Sequence, residues 1–154
     1  MNVKKLTLNF FGSVKDIHNL LSHNLWSCGD YLESLYEFTR TQSSILTNQY
    51  SSLGEHSIKI QRTSSTWWIN IPSGISTTGT YTWEIDVLNH NQSDVNLMFL
   101  SNSSTVSSVN VPYCENWQTI TISGQIDTVT TYSLRVSVYD NDGVFIDNVK
   151  LVKN

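Results

Sequence analysis

The C-terminal stretch from Tyr132 to Val152 constrains the fold more than any other part of the chain. Apolar and polar side chains alternate from Tyr132 to Tyr139, which is the period-two pattern of a half-buried β-strand. A turn is predicted at Asp140–Gly143, because Asn and Asp tolerate positive φ and Gly143 adopts it at no steric cost. A second apolar run follows at 145–152. The stretch therefore predicts a closing antiparallel hairpin.

Alternating runs of this kind recur throughout the chain from Glu55 onward, separated by turns rich in Gly, Pro, Asn and Asp. With the N-terminal segments there are about ten strand-like runs, at the spacing of about 8–12 residues that is typical of sandwiches and barrels. This pattern predicts an all-β, antiparallel β-sandwich of jelly-roll type. The runs before the hairpin are His56–Arg62, Thr66–Ile71, Thr80–Leu88, Val95–Leu100, Ser107–Pro112 and Trp117–Ser123.

The N-terminal part is less regular. Leu6, Leu8 and Phe10 share one face of a predicted strand, and the segment at 13–22 fits either a short helix or a loop leading into a strand. The later half of 30–40 fits a strand, and 41–52 reads as a polar loop. A chain of 154 residues has the size of one domain. We therefore predict a single domain over 1–154, with an N-terminal strand and connector at 1–18 and a jelly-roll core at 19–152.

Charge and composition exclude several classes of function. The formal net charge of −4 argues against nucleic acid, which requires a basic face. No apolar run approaches the ~20 residues of a membrane span, and the patch near Lys4 and Lys5 is too short for a signal peptide. Charged residues are only 14%, while Ser and Thr are abundant, which is common on exposed extracellular surfaces. We expect an extracellular, cell-surface or virion location.

Motifs of catalysis are missing from the sequence. There is no Gly-x-Ser-x-Gly elbow, no His-Glu-x-x-His and no phosphate-binding or dinucleotide-binding glycine loop. Cys28 and Cys114 are too far apart in sequence for a Cys-x-x-Cys metal site, and could either pair or remain buried free thiols. The sequence therefore predicts a protein that is not an enzyme.

Several segments in a fixed order resemble a known family. They are Leu53–Ile60, Trp68–Ile71, Gly79–Val87, Trp117–Ile122 and Phe145–Val152. Together they resemble the β-jelly-roll carbohydrate-binding modules attached to xylanases and cellulases, and related domains of adhesins and phage tail proteins. The resemblance covers about residues 19–152, and Ile-Asp-Asn-Val-Lys-Leu at 146–151 is its most specific piece. The family's usual Asn-Gly-Asp-Phe-Glu start is missing.

A candidate ligand-binding face follows from strand alternation. Sugar binding needs aromatic planes for stacking and planar polar groups for hydroxyls. If their strands share one sheet, its non-core side carries both kinds of group, namely Trp68, Glu84, Asp86, Arg135 and Tyr139. The partner would be a polysaccharide or a cell-surface glycan. The alternative is that Trp68 covers the edge of the core and that Glu84 and Arg135 form a surface cross-strand pair.

The resemblance also implies a structural calcium ion. In such modules a carboxylate of the last strand helps to hold the ion, which makes Asp147 a candidate ligand, joined by Glu55 or Asp30. Calcium takes six to eight oxygen ligands. The alternative is that Asp147 accepts hydrogen bonds from nearby backbone.

Two functions are therefore compatible with the sequence. The first is a non-catalytic carbohydrate-binding module, or host-recognition module, that uses the aromatic and polar face. The second is a structural virion protein, such as a phage capsid decoration or tail component, which packs on other virion proteins and binds no sugar.

Overall fold

Nine β-strands and their connecting turns make up the part of the chain that the computed structural model describes, which is residues 44–52, 56–63, 68–73 and 75–154. No helical segment within these ranges has the length and apolarity to cross a bilayer. The strands are β1 Ser44–Thr47, β2 Ser57–Ile60, β3 Trp68–Pro72, β4 Gly79–Leu88, β5 Val95–Ser101, β6 Ser104–Val111, β7 Gln118–Ile126, β8 Tyr132–Val138 and β9 Val144–Lys153.

The strands form two sheets. One has five strands in the order β1-β2-β9-β4-β7, and the other has four in the order β3-β8-β5-β6. All neighbouring strands are antiparallel. The predicted antiparallel β-sandwich is therefore confirmed. Its strand order is non-sequential in both sheets, so most neighbours are brought together by connections that cross from one sheet to the other.

The core fills the space between the two sheets. Alternate side chains face the core, most clearly in β4, where Tyr81, Trp83, Ile85 and Val87 point inward. The Trp83 indole meets the ring of Phe99 from the other sheet edge-to-face, with centroids 6.5 Å apart. Burying each large apolar side chain contributes about 1.5–3 kcal/mol. The alternation that predicted the strands thus also predicted which side chains join the two layers.

The predicted C-terminal hairpin is wrong, although its two strands and its turn exist. β8 pairs with β3 and β5, whereas β9 pairs with β2 and β4 in the opposite sheet. The Asp140 carboxylate accepts hydrogen bonds from the backbone N–H groups of Asp142 (3.2 Å) and Gly143 (3.4 Å), and Gly143 has a φ of 81°. The turn reverses the chain as its residues predict, but it carries the chain across the core.

The first described strand lies in a stretch that the sequence predicts as loop. β1 pairs with β2, with Ile45 opposite Lys59, so the prediction of a polar loop over 41–52 is wrong for Ser44–Thr47. The predicted strand at Leu6–Phe10 and the segments at 13–22 and 30–40 lie outside the described residues. The boundary between residues 18 and 19 stays a prediction. Cys114 is a buried free thiol whose sulfur accepts a hydrogen bond from the backbone N–H of Asn89.

One side of the sandwich is closed by contact between the edge strands β6 and β7. The Ser107 hydroxyl donates to the backbone carbonyl of Ser123 at 2.6 Å. A side chain at Gly124 has no room, because its Cβ would lie 2.7 Å from Val106 Cγ1 and 2.8 Å from Phe99 Cδ1. The absence of a side chain at Gly124 therefore lets the two sheets approach at this edge.

Candidate functional site

Trp68 and Arg135 meet on the outer face of the four-stranded sheet. They lie on the paired strands β3 and β8, where Trp68 is opposite Ser137 and Asn70 is opposite Arg135. The Arg135 guanidinium carbon lies 4.3 Å from the centroid of the Trp68 ring, within the range of a cation–π contact. Arg135 Nε also donates to Asn70 Oδ1 at 2.9 Å. The aromatic and cationic groups that the sequence proposed as ligand-binding are therefore in contact.

Polar side chains continue this surface across β5 and β6. The pairing registers place Trp68, Ser137, Asn96 and Asn110 in one row across the four strands. Asn96 Nδ2 donates to Asn110 Oδ1 at 2.6 Å. Neighbouring strands lie about 4.8 Å apart, so the row spans roughly 14 Å, which is longer than one sugar ring. We call this surface the platform, and its members are Trp68, Asn70, Asn96, Met98, Arg135 and Asn110.

The platform is accessible in part. Asn110 is exposed, and its other members are half-buried. Sequence reasoning did not include Asn96, Met98 or Asn110. Alternation within β5 and β6 does mark them as outward-facing, but only the order of the strands shows that they lie beside Trp68 and Arg135.

Glu84 and Asp86 lie elsewhere, so the predicted five-residue face does not form. Both are on the outer face of the five-stranded sheet, where Glu84 is opposite Thr121 and Lys150. The core separates them from Trp68 and Arg135, and the alternative of a Glu84–Arg135 cross-strand pair is also wrong. Tyr139 follows the end of β8, and its carbonyl accepts a hydrogen bond from Arg62 Nη1 at 3.2 Å.

Asp86 holds other parts of the chain together. Its Oδ2 accepts hydrogen bonds from the Ser52 hydroxyl (2.6 Å) and Asn148 Nδ2 (3.0 Å), and its Oδ1 accepts from the Thr119 hydroxyl (2.6 Å). Both carboxylate oxygens are thus occupied by groups of the protein. Asp86 therefore has a structural role in this arrangement, linking β4 to β7, β9 and the segment after β1.

Asp147 joins the same network from β9, where it is opposite Asp86. Its side chain is buried and accepts hydrogen bonds from the backbone N–H groups of Ser52 (2.8 Å) and Asn148 (2.7 Å). Nearby, Tyr50 packs edge-on against Phe145, with ring centroids 4.9 Å apart. The segment at 48–52 therefore covers one end of the outer face of the five-stranded sheet.

The described residues do not by themselves complete a calcium site. They contain no group of three or more His, Cys, Asp or Glu side chains that could hold a metal ion. Asp147 and Asp86 both accept hydrogen bonds from Ser52, and the buried Asn148 Oδ1 has no hydrogen-bond partner among the described residues, so carboxylate and amide oxygens lie close together here. Glu55 and Asp30 lie outside the described residues. The calcium-binding role of Asp147 and Glu55 stays a prediction.

The Asp86 network predicts acid sensitivity. Burial raises the pKa of Asp86, but hydrogen bonds from Ser52, Thr119 and Asn148 together with the Lys150 ammonium outweigh it, so the pKa lies below its ordinary value of 3.8. A lowered pKa gives stability above the unfolded-state value, and this is lost as the pH falls through the folded-state value. We expect the melting temperature of the wild type to decrease as the pH is lowered past about 4. The melting temperature of D86N should decrease less steeply. Thermal melts from pH 6 to 3 measure both.

A second carboxylate, that of Asp140, also contributes to acid sensitivity. The pKa of Asp140 is also lowered, because hydrogen bonds from Ser93 and from turn backbone outweigh its burial, so D86N should keep part of the acid sensitivity. An unchanged pH profile in D86N would show that the Asp86 hydrogen bonds do not favour its ionised form.

Comparison with known proteins rests on structure alone. No protein-family model matches the chain, and no curated protein matches it. The TmCBM61 module, solved in complex with β-1,4-galactotriose, superposes with a TM-score of 0.56 at 14% identity, covering 75% of this chain and 86% of that chain. A module from Cellvibrio mixtus lichenase 5A, solved with cellotriose, gives 0.53 at 12% identity, covering 78% and 95%.

A further match belongs to a viral protein. The enzymatically active domain of bacteriophage CBA120 tailspike protein 4 gives a TM-score of 0.51 at 12% identity, covering 74% of this chain and 18% of that chain. The chain thus has the β-jelly-roll fold of carbohydrate-binding modules, which confirms the resemblance and the fold class predicted from sequence. At these identities the similarity establishes the fold only, and the function has to be inferred from the residues of the candidate site.

Proposed function

We propose that this chain is a non-catalytic carbohydrate-binding module whose ligand lies on the platform. The observation that carries the proposal is the Trp68–Arg135–Asn70 cluster on an outer sheet face, where an aromatic plane, a cation and an amide meet. The fold supports it, because its structural neighbours include modules solved with bound oligosaccharides. The ligand would be a polysaccharide or a cell-surface glycan, and the site of action extracellular or on a surface.

Five of the six platform residues have a defined task in this proposal. Trp68 packs its indole against the apolar face of a sugar ring, and Arg135 and Asn70 bond to hydroxyl oxygens beside it. Among the described residues no partner is bonded to the Asn96 carbonyl or the Asn110 amide, so the pair offers both an acceptor and a donor to the next ring. Contacts between the platform residues hold them in place, which reduces the entropy lost on binding.

Truncating Trp68 tests the proposal directly. We expect W68A to weaken binding to a retained polysaccharide by roughly 10–50-fold, since losing a stacking side chain costs about 1.5–2.5 kcal/mol. Affinity gel electrophoresis with galactan, soluble cellulose and xylan, alongside a glycan array, measures this. The melting temperature should change little, because Trp68 lies outside the core formed by the buried residues.

The matched control is another exposed aromatic residue. Tyr113 is 47% exposed and lies outside the platform, so Y113A should bind as the wild type does. Equal loss in both variants would place the ligand away from Trp68. A large fall in the melting temperature of W68A would mean that Trp68 supports the core instead.

The second candidate function is that of a structural component of a virion. The similarity to the bacteriophage tailspike domain supports it. In that case the sandwich would pack on other virion proteins and bind no sugar. Size-exclusion chromatography with light scattering separates the two, together with the glycan array. A symmetric assembly that binds no glycan would support the virion function, and a monomer retained by a polysaccharide would support the module.

A further inference from the structure

The terminal nitrogens of the Arg135 guanidinium, Nη1 and Nη2, are available for a ligand on the platform. Nε donates to Asn70 Oδ1, and the guanidinium carbon lies over the Trp68 ring. No salt bridge or hydrogen bond joins its Nη1 and Nη2 groups to any described residue, and the side chain is only half-buried. The two terminal nitrogens form a fork whose geometry matches a carboxylate bidentately. The contacts with Trp68 and Asn70 fix the direction in which this fork points.

The charge around Arg135 is also unbalanced. The chain has a formal net charge of −4, yet the outward positions of β3, β5, β6 and β8 include no Asp or Glu. The acidic residues Asp94 and Asp140 lie beyond the strand ends, and Glu84 and Asp86 lie on the other sheet. The described platform is therefore a locally positive surface on an acidic protein. A ligand that carries negative charge would complement it, whereas a neutral glycan would leave the cation unpaired.

From this geometry we propose that the platform selects an acidic polysaccharide, one whose sugar rings carry a uronate carboxylate. The carboxylate pairs with Nη1 and Nη2 of Arg135, and the ring that carries it packs beside the Trp68 indole. Hydroxyl groups of a neighbouring ring bond to the Asn96–Asn110 pair. The inference rests on the proposed carbohydrate-binding function and adds the chemical class of the ligand.

Polymers that differ only in the carboxylate test the proposal. Polygalacturonate, alginate and glucuronoxylan are each compared with their carboxyl-reduced forms by affinity electrophoresis and isothermal titration calorimetry. We expect the wild type to bind at least one acidic polymer about ten-fold or more tightly than its reduced form, as charge-assisted pairing predicts. R135Q should abolish this preference, and R135K should retain only part of it, because Lys keeps the charge but lacks the fork.

Dextran sulfate and dextran control for unspecific attraction. Preferential binding of dextran sulfate to the same extent would show that any polyanion suffices and would overturn the proposal. Thermal melts of R135Q and R135K check that both variants fold. If R135Q does not fold, the comparison of R135K with the wild type tests the proposal.

The outcomes distinguish this inference from the function on which it rests. Equal binding of the acidic and reduced polymers, with loss in W68A, would overturn acid selectivity and leave the carbohydrate-binding module standing. An acid preference that persists in R135Q would place the carboxylate elsewhere and overturn the proposal. Failure of the wild type to bind any acidic, reduced or neutral polymer would overturn both.

Discussion

Replacing Gly124 by valine should lower the free energy of unfolding by about 3 kcal/mol, at the upper end of what overpacking costs. Even one Cβ at this position would lie 2.8 Å from Phe99 Cδ1 and 2.7 Å from Val106 Cγ1. Val106 is 36% exposed and can move aside, but Phe99 is fully buried in the core and cannot. The sheets must therefore separate where β6 meets β7. A loss of this size lowers the melting temperature by roughly 10 °C.

The matched control for G124V lies on the same strand. Thr121 is exposed on the outer face of β7, so T121V adds a comparable apolar surface without entering the contact and should change stability by less than about 0.5 kcal/mol. The double variant V106A/G124A should lose less stability than the sum of its parts, because V106A removes one of the opposing methyl groups. If G124V melts at the same temperature as the wild type, β6 and β7 do not make the close contact described at Gly124.

Strands were predictable from the sequence because their cause is local. A strand with one face on the core must alternate, and Tyr81, Trp83, Ile85 and Val87 do so whichever strands lie beside them. Pairing has no such local signature. Tyr132–Val138 and Val144–Lys153 would show the same alternation as a hairpin in one sheet or as two strands of opposite sheets. The second arrangement, in which each strand turns its apolar face toward the shared core, is the one adopted.

For the candidate site, too, the sequence predicts which side of a strand each residue lies on but not which strands are neighbours. Alternation placed Trp68 and Arg135 on the non-core sides of their strands, and the structure brings them into contact because β3 pairs with β8. It placed Glu84 and Asp86 equally well on the non-core side of β4, but β4 belongs to the other sheet. Which outward faces are joined depends on strand order, which is set by the whole core. The three hydrogen bonds that occupy Asp86 were likewise beyond sequence reasoning, since Ser52 and Thr119 are distant along the chain.

Removing the Asp147 side chain should cost about 2–4 kcal/mol of stability. In D147A the backbone N–H groups of Ser52 and Asn148 lose their acceptor, and each buried unsatisfied donor costs about 1–3 kcal/mol. The segment at 48–52 would also lose one of its described contacts, while the bond from Ser52 to Asp86 and the packing of Tyr50 against Phe145 remain. Urea unfolding measures the loss. D127A is the control, since Asp127 is exposed and should change stability by less than about 0.5 kcal/mol.

The same variant separates the hydrogen-bonding role of Asp147 from a calcium-binding role. A ligand that binds only the folded state raises its stability by about 2.7 kcal/mol at one hundred times its dissociation constant. If Asp147 holds calcium, the wild type should melt at a higher temperature in calcium than in chelator, and D147A should melt at the same temperature in both. Coincident wild-type melts, combined with a destabilised D147A, would assign Asp147 to the hydrogen bonds that hold Ser52 and Asn148 and to no metal ion.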